Sequence, residues 1–186
     1  YVLGDFLAYD RGGRDIVYRF SAKLRMLFSL ILFHSKASDN GISTGKLTSA
    51  MWPDKETADA KNIRGVTINH LRKILADVDG VELRNDNSRW SFVFSSEFYS
   101  DYVRCMELCA QIQTTRISTE ADVDELVRIV GRGTLMAAVN DPWIEPYRQE
   151  YEKSVEKAFR LHIRSLYAQD NHSRIVTLVE ALFAVD

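Results

Sequence analysis

Leu24, Leu27, Phe28, Ile31 and Leu32 recur at three- and four-residue steps, with Phe33 widening the apolar face. This spacing predicts a largely buried helix, capped by Ser21 and running to about Ser35. Before it, Val2–Tyr9 and Asp15–Phe20 are short β-branched and aromatic runs joined by Asp10-Arg11-Gly12-Gly13-Arg14, the composition of a β-hairpin. After it, the loop Lys36–Ile42 carries Asp39-Asn40-Gly41 turn chemistry, and Ser43 or Thr44 caps a short second helix that must end before Pro53. Asp54–Asp59 reads as an exposed loop or an early helical turn. Ala60–Leu75 follows as a third helix with Ile68, Leu71 and Leu75 on one face. Val81–Arg84 and Arg89–Phe94 flank the polar tip Asn85-Asp86-Asn87-Ser88, which predicts a second hairpin.

From Phe98 onward the period is helical throughout, with helices expected over Phe98–Gln113, Glu120–Met136, Glu145–Tyr167 and His172–Ala184. Tyr147, Tyr151, Val155, Ala158, His162 and Leu166 form a stripe that belongs to a core, and Trp143 after Pro142 suits a packed corner. The change of class near residue 97 divides the chain into an α+β domain over 1–97 and an all-α domain over 98–186. Net charge changes sign at the same place. Residues 1–100 hold 14 Lys and Arg against 12 Asp and Glu, whereas 101–186 hold 10 against 14. The formal total of −2 therefore hides a basic first half.

Helix, short helix, longer basic helix and polar-tipped hairpin, in that order, describe a winged helix-turn-helix, whose third helix enters the major groove. Between Lys61 and Leu75 there is no acidic residue, while Lys61, Arg64, Arg72 and Lys73 are cationic. Lys and Arg supply phosphate attraction, and Asn62, Thr67 and Asn69 are short groups able to address base edges. Asn69 has the chemistry to pair bidentately with adenine; which base it meets is left open by the sequence. A cationic helix face alone is more often merely a solvated surface, and it is the surrounding order of elements that favours nucleic acid.

The residues carrying that order also resemble a family. Asn62-Ile63-Arg64-Gly65-Val66-Thr67-Ile68-Asn69-His70-Leu71-Arg72-Lys73-Ile74-Leu75 looks like the recognition helix of OmpR/PhoB-type response regulators and of related antibiotic-regulatory activators. Leu47-Thr48-Ser49-Ala50-Met51-Trp52-Pro53 is similar to that family's helix-two ending, and Arg89-Trp90-Ser91-Phe92 stands where its wing returns. His70 stands where an arginine is common, Arg64 where an apolar residue is usual, and Arg89 replaces a wing glycine. Asp101-Tyr102, Gly131-Arg132-Gly133-Thr134-Leu135 and Pro142–Glu150 resemble the bacterial transcriptional activator domain that follows the winged helix in those activators. That resemblance implies tetratricopeptide-like helical hairpins forming a platform for RNA polymerase, another protein or a second copy of the chain.

The expected DNA-contacting set is Thr44 and Lys46 at the start of helix two, with Asn87 and Arg89 on the hairpin and a larger group on helix three. The helix-three members are Lys61, Asn62, Val66, Thr67, Asn69, His70, Arg72 and Lys73. Arg84 is a further candidate for backbone contact. The expected function is sequence-specific binding of double-stranded DNA by a transcriptional regulator. The alternative is a protein-interaction scaffold whose winged helix no longer binds DNA, motivated by the missing arginine at position 70 and the negative total charge.

No phosphate loop, nucleophile elbow or zincin motif occurs, so no enzymatic activity, cofactor or small-molecule substrate is expected. Cys105 and Cys109 at i,i+4, even with His34, His162 and His172, are a weak zinc pattern, and they fit a reducing cytoplasm. The apolar run Met26–Phe33 falls far short of the roughly 18 residues a membrane span needs. Tyr1 is not a start methionine, and the chain reads as a piece of a longer signalling protein whose receiver, sensor or membrane-attached module lies elsewhere.

Overall fold

The computed structural model describes residues 1–35, 41–115, 119–168 and 172–183. The Asp39-Asn40 turn and the end of the last expected helix at Ala184 lie outside them. The fold is α+β: among the described residues there are seven α-helices and one three-stranded antiparallel sheet. None of these helices is long and apolar enough to cross a membrane. Two compact units emerge, one formed by Leu7–Tyr99 and the other by Tyr1–Phe6 together with Ser100–Asp186.

In the Leu7–Tyr99 unit, helix α1 (Ala22–Phe33) begins where the Ser21 side chain accepts the Leu24 N–H, the cap its composition calls for. It buries Leu24, Leu27, Leu30, Ile31 and Leu32. Phe28 packs between Phe20 and Phe92, with ring centroids at 6.0 and 5.1 Å. Strand β1 (Ile42–Ser43) leads into α2 (Thr44–Met51), and it is Ser43 that caps, accepting the Lys46 N–H at 3.2 Å.

Helix α3 runs Thr57–Leu75, so the segment 57–59 is its first turn. It packs on α1 and α2 and buries Ile68, Leu71, Ile74 and Leu75. Strands β2 (Val81–Asp86) and β3 (Arg89–Phe94) form the hairpin, and β1 pairs with β3 to give the order β1-β3-β2. The turn is tighter than the sequence suggests. Asn85 and Asp86 are in the ladder, and only Asn87 and Ser88 remain, with φ of 50° and 62°, the two positive values that a type I′ turn demands.

The N-terminal hairpin does not form as a ladder. Tyr9 and Asp15 make a single bridge, closed by the Asp10 carboxylate, which accepts the Gly12 and Arg14 N–H groups at 2.9 and 3.0 Å. Val17–Arg19 is a 3₁₀ turn rather than a strand. Arg11 and Arg19 instead cap the C-terminal end of α3: Arg11 donates to the Ala76 carbonyl at 2.8 Å, and Arg19 reaches Asp77 at 2.7 Å. Cations at that end oppose the partial negative charge of the helix terminus.

The other unit contains α4 (Asp101–Thr115), α5 (Glu120–Val130), α6 (Glu145–Ala168) and α7 (His172–Phe183). Helix α4 packs on α5 and α6, and α7 on α5 and α6. Thr119 and Asp122 close a capping box at the start of α5. Tyr151, Val155, Ala158 and Leu166 are buried as their stripe predicts, together with Phe159, while Tyr147 and His162 are half-buried. Helix α5 ends six residues earlier than its apolar spacing suggests. Beyond Gly131, Leu135 and Met136 are buried in a loop whose carbonyls accept from Arg148, and Leu3 bridges Leu135.

Asp101, fully buried at the start of α4, accepts the Val2 and Leu3 N–H groups at 2.8 and 3.1 Å and Arg132 Nε at 3.1 Å. Its charge is thus compensated on three sides. This is the condition under which a buried carboxylate is tolerated.

Candidate nucleic-acid interface

Helix α3 buries Ala60, Ile68, Leu71, Ile74 and Leu75, and the helical period turns the opposite face to solvent. On that face stand Lys61, Asn62, Gly65, Val66, Asn69, His70, Arg72 and Lys73, all exposed. Val66 is 72% exposed. Thr67 does not join them. It is half-buried at the flank, and its hydroxyl donates to the Ile63 carbonyl one turn back at 2.7 Å, a local bond common for Thr inside helices. Arg64 also leaves the face: its guanidinium donates to Thr48 Oγ1 at 2.6 Å, and Thr48 in turn donates to the Thr44 carbonyl at 2.7 Å. The arginine at a usually apolar position therefore ties α3 to α2.

Trp90 of β3 joins three elements. The Arg72 guanidinium carbon lies 5.7 Å from its ring centroid, within reach of a cation–π attraction. Its indole Nε1 donates to Thr44 Oγ1 at 3.0 Å. The same Thr44 hydroxyl donates to the Ser88 carbonyl at 2.9 Å, and the Thr44 N–H donates to that carbonyl at 2.8 Å. The C-terminal half of the α3 face, the start of α2 and the hairpin tip are thereby held as one surface. Thr44, expected as a DNA contact, uses its hydroxyl inside the fold.

The hairpin candidates divide in a similar way. Asn87 is exposed at the tip, whereas Arg89 donates to the Gly41 carbonyl at 2.8 Å. Gly41 has φ of +80°, and a Cβ there would sit 2.5 Å from the Trp90 carbonyl oxygen, so only glycine lets β1 approach β3 so closely. Arg84 pairs with Glu82 at 2.8 Å, and that hydrogen bond holds the Glu82 carboxyl below its ordinary range. Lys46 is exposed with its Nζ 3.4 Å from His34 Nε2.

The organising roles of Trp90, Thr48 and Ser88 are not evident from the sequence. The available signal was indirect: an indole and a hydroxyl on polar segments need hydrogen-bond partners once half-buried, while Ser88 serves through its backbone carbonyl, which any residue there would supply.

In the helical unit, Cys105 and Cys109 are buried free thiols, and their mutual hydrogen bond together with burial pushes the Cys105 thiol up. Among the described residues no three His, Cys, Asp or Glu side chains gather as a metal set. On the outward side of α7, Val176, Val179 and Phe183 are exposed.

Comparison of the chain with protein-family models, with curated proteins and with solved structures gives no match.

Proposed function

We propose that the Leu7–Tyr99 unit is a winged helix-turn-helix of the OmpR/PhoB type that binds duplex DNA sequence-specifically, with α3 in the major groove and the β2–β3 hairpin as its wing. The observation that carries this reading is the outward face of α3, where three cations, a histidine, two asparagines and an exposed valine stand together without an acidic residue from Lys61 to Leu75. Cations of this kind attract phosphates, and short amides read base edges. The tie from Arg72 through Trp90 to Thr44 supports it further, because a rigid base for the helix is what a base-reading surface requires. On this proposal the second unit is a tetratricopeptide-like activator domain, and the protein is a transcriptional regulator without enzymatic activity.

The test is fluorescence anisotropy of the protein on random-sequence duplex DNA at two salt concentrations, compared with a Lys61→Ala/Lys73→Ala variant. Each lost phosphate contact lowers the slope of log affinity against log salt by about 0.9. An affinity and slope unchanged in the variant would overturn the assignment of α3.

The exposed Val176, Val179 and Phe183 of α7 favour a second reading, a protein-interaction scaffold whose winged helix does not bind DNA. Absence of DNA binding at low salt, alongside a stable complex with a protein partner, is the result that would select it.

A further inference from the structure

Four residues of the α3 face are choices that the fold itself does not explain. Asn62, Gly65, Val66 and Asn69 lie at i, i+3, i+4 and i+7, a single stripe along the helix, and all four are exposed. Each is a poor helix former. Asparagine competes for the backbone, valine loses side-chain freedom against the preceding turn, and glycine is the worst residue after proline. Packing does not require them. A Cβ added at Gly65 would meet nothing within 4 Å, and Val66 points 72% of its surface into solvent. Solvent-facing helix positions free of packing are where Ala, Glu, Lys or Gln serve the fold best, and local conflicts of this kind concentrate at functional sites.

Resting on the DNA-binding reading above, we infer that this stripe is the base-reading edge and that it selects an A·T-dominated major-groove element of three to four base pairs. Asn62 and Asn69 are amides able to accept from adenine N6 and donate to N7, and neither amide can reproduce the two-donor fork that reads guanine. Val66, between them, presents an apolar surface of the size and chemistry that meets the thymine C5-methyl, a group no other base carries. Seven residues of helix separate the two asparagines, about 10.5 Å of rise, which spans three base-pair steps of about 3.4 Å. Gly65, without a side chain, lets the helix backbone come close to the groove wall. Lys61 and Lys73 flank the stripe at its two ends, the positions from which long cationic side chains reach the phosphates that fix register.

The experiment begins with selection of preferred sites from a randomised duplex by the full chain. Anisotropy follows on the recovered duplex and on versions carrying deoxyuridine for thymidine or 7-deazaadenine for adenine. Recovered sites should share the A·T element. Removing the thymine methyl should weaken binding about fourfold, and Val66→Ala should no longer distinguish the two duplexes. Asn62→Ala and Asn69→Ala should each lose about 5- to 150-fold of discrimination at one adenine position, and 7-deazaadenine at that position should then cost nothing more. All three side chains face solvent, and thermal unfolding of the variants at or above the temperature of the parent verifies that the helix is intact. Salt-sensitive binding without sequence preference, a recovered G·C element, or a uracil effect retained by Val66→Ala would overturn this inference and leave DNA binding standing. No binding to random duplex at low salt would overturn both.

Discussion

Trp90 Nε1 donates to Thr44 Oγ1 at 3.0 Å, and that one hydroxyl also donates to the Ser88 carbonyl at 2.9 Å. Hydrogen-bond partners in such a chain strengthen one another, so the two residues should couple. Thr44→Val and Trp90→Phe should each destabilise the unit by about 0.5–1.5 kcal/mol, and the double variant should cost less than the sum of the two. Urea unfolding of the four proteins measures the coupling. Strict additivity would mean that the bond carries nothing. On DNA, both variants should weaken affinity while keeping the salt slope, because the loss is of rigidity and not of a phosphate contact.

Arg64 offers a cleaner separation of structure from binding. Its guanidinium holds Thr48 at 2.6 Å, so it acts as a tie between α2 and α3. Arg64→Met keeps the stem and removes the donor, and the expected loss is about 1 kcal/mol of unfolding free energy. The salt slope of DNA binding should not change. A slope that falls by about 0.9 would instead show Arg64 on a phosphate.

Two glycines should respond to alanine with opposite signs. Gly41→Ala places a Cβ 2.5 Å from the Trp90 carbonyl at a φ of +80°, and should destabilise by roughly 1–3 kcal/mol or more. Gly65→Ala meets open space in the interior of α3 and should stabilise by about 0.5–1 kcal/mol. Thermal unfolding compares them directly. If Gly65→Ala is stabilising but weakens DNA binding, position 65 is kept small for a ligand's sake; unchanged binding would remove it from the contact stripe.

His162 on α6 gives the helical unit a pH dependence of definite sign. Burial is the main cause that lowers its pKa from 6.5; Arg174 adds to the effect and Glu120 opposes it. In the unfolded chain the imidazole takes up its proton at the ordinary value, while the folded chain resists it. Above pH 6.5 both states are neutral and no penalty exists. As pH falls through that value the unfolded state binds the proton first, so stability declines until the lower folded pKa is reached. His162→Gln should flatten this decline just below pH 6.5 in urea titrations, and an unaltered slope would assign the dependence to other groups.

What the sequence reveals of this fold follows from locality. Ser21 and Ser43 act on an N–H three residues away, so their caps are visible in the chain itself. The β2–β3 hairpin is visible for the same reason, although Asn85 and Asp86 read as turn because their strand ends in solvent. Val2–Tyr9 has the composition of a strand, but only Tyr9 bridges the neighbouring run, at Asp15, whereas Leu3 pairs with Leu135 in the other half of the chain, a partner that local composition cannot announce. Leu135 and Met136 continue the helical spacing of α5 only because both are buried in the loop beyond its end. The outward face of α3 was legible from charge and period. That Thr44, Arg64 and Arg89 spend donors within the fold was not, since each partner is 16 or more positions away.

The Asp101 carboxylate sets an order of events for folding. It joins backbone groups 99 and 98 positions distant, and between them the whole Leu7–Tyr99 unit is spanned as one excursion of the chain. Closing so large a loop carries an entropy cost that local contacts do not, and high sequence separation slows the search for native pairing. The strip at residues 2–3 must wait, unsupported, until α4 has been made, and the intervening unit can complete its own contacts meanwhile. During synthesis the Leu7–Tyr99 unit would emerge from the ribosome while the backbone groups of Val2 and Leu3 still lack the carboxylate that is to receive them.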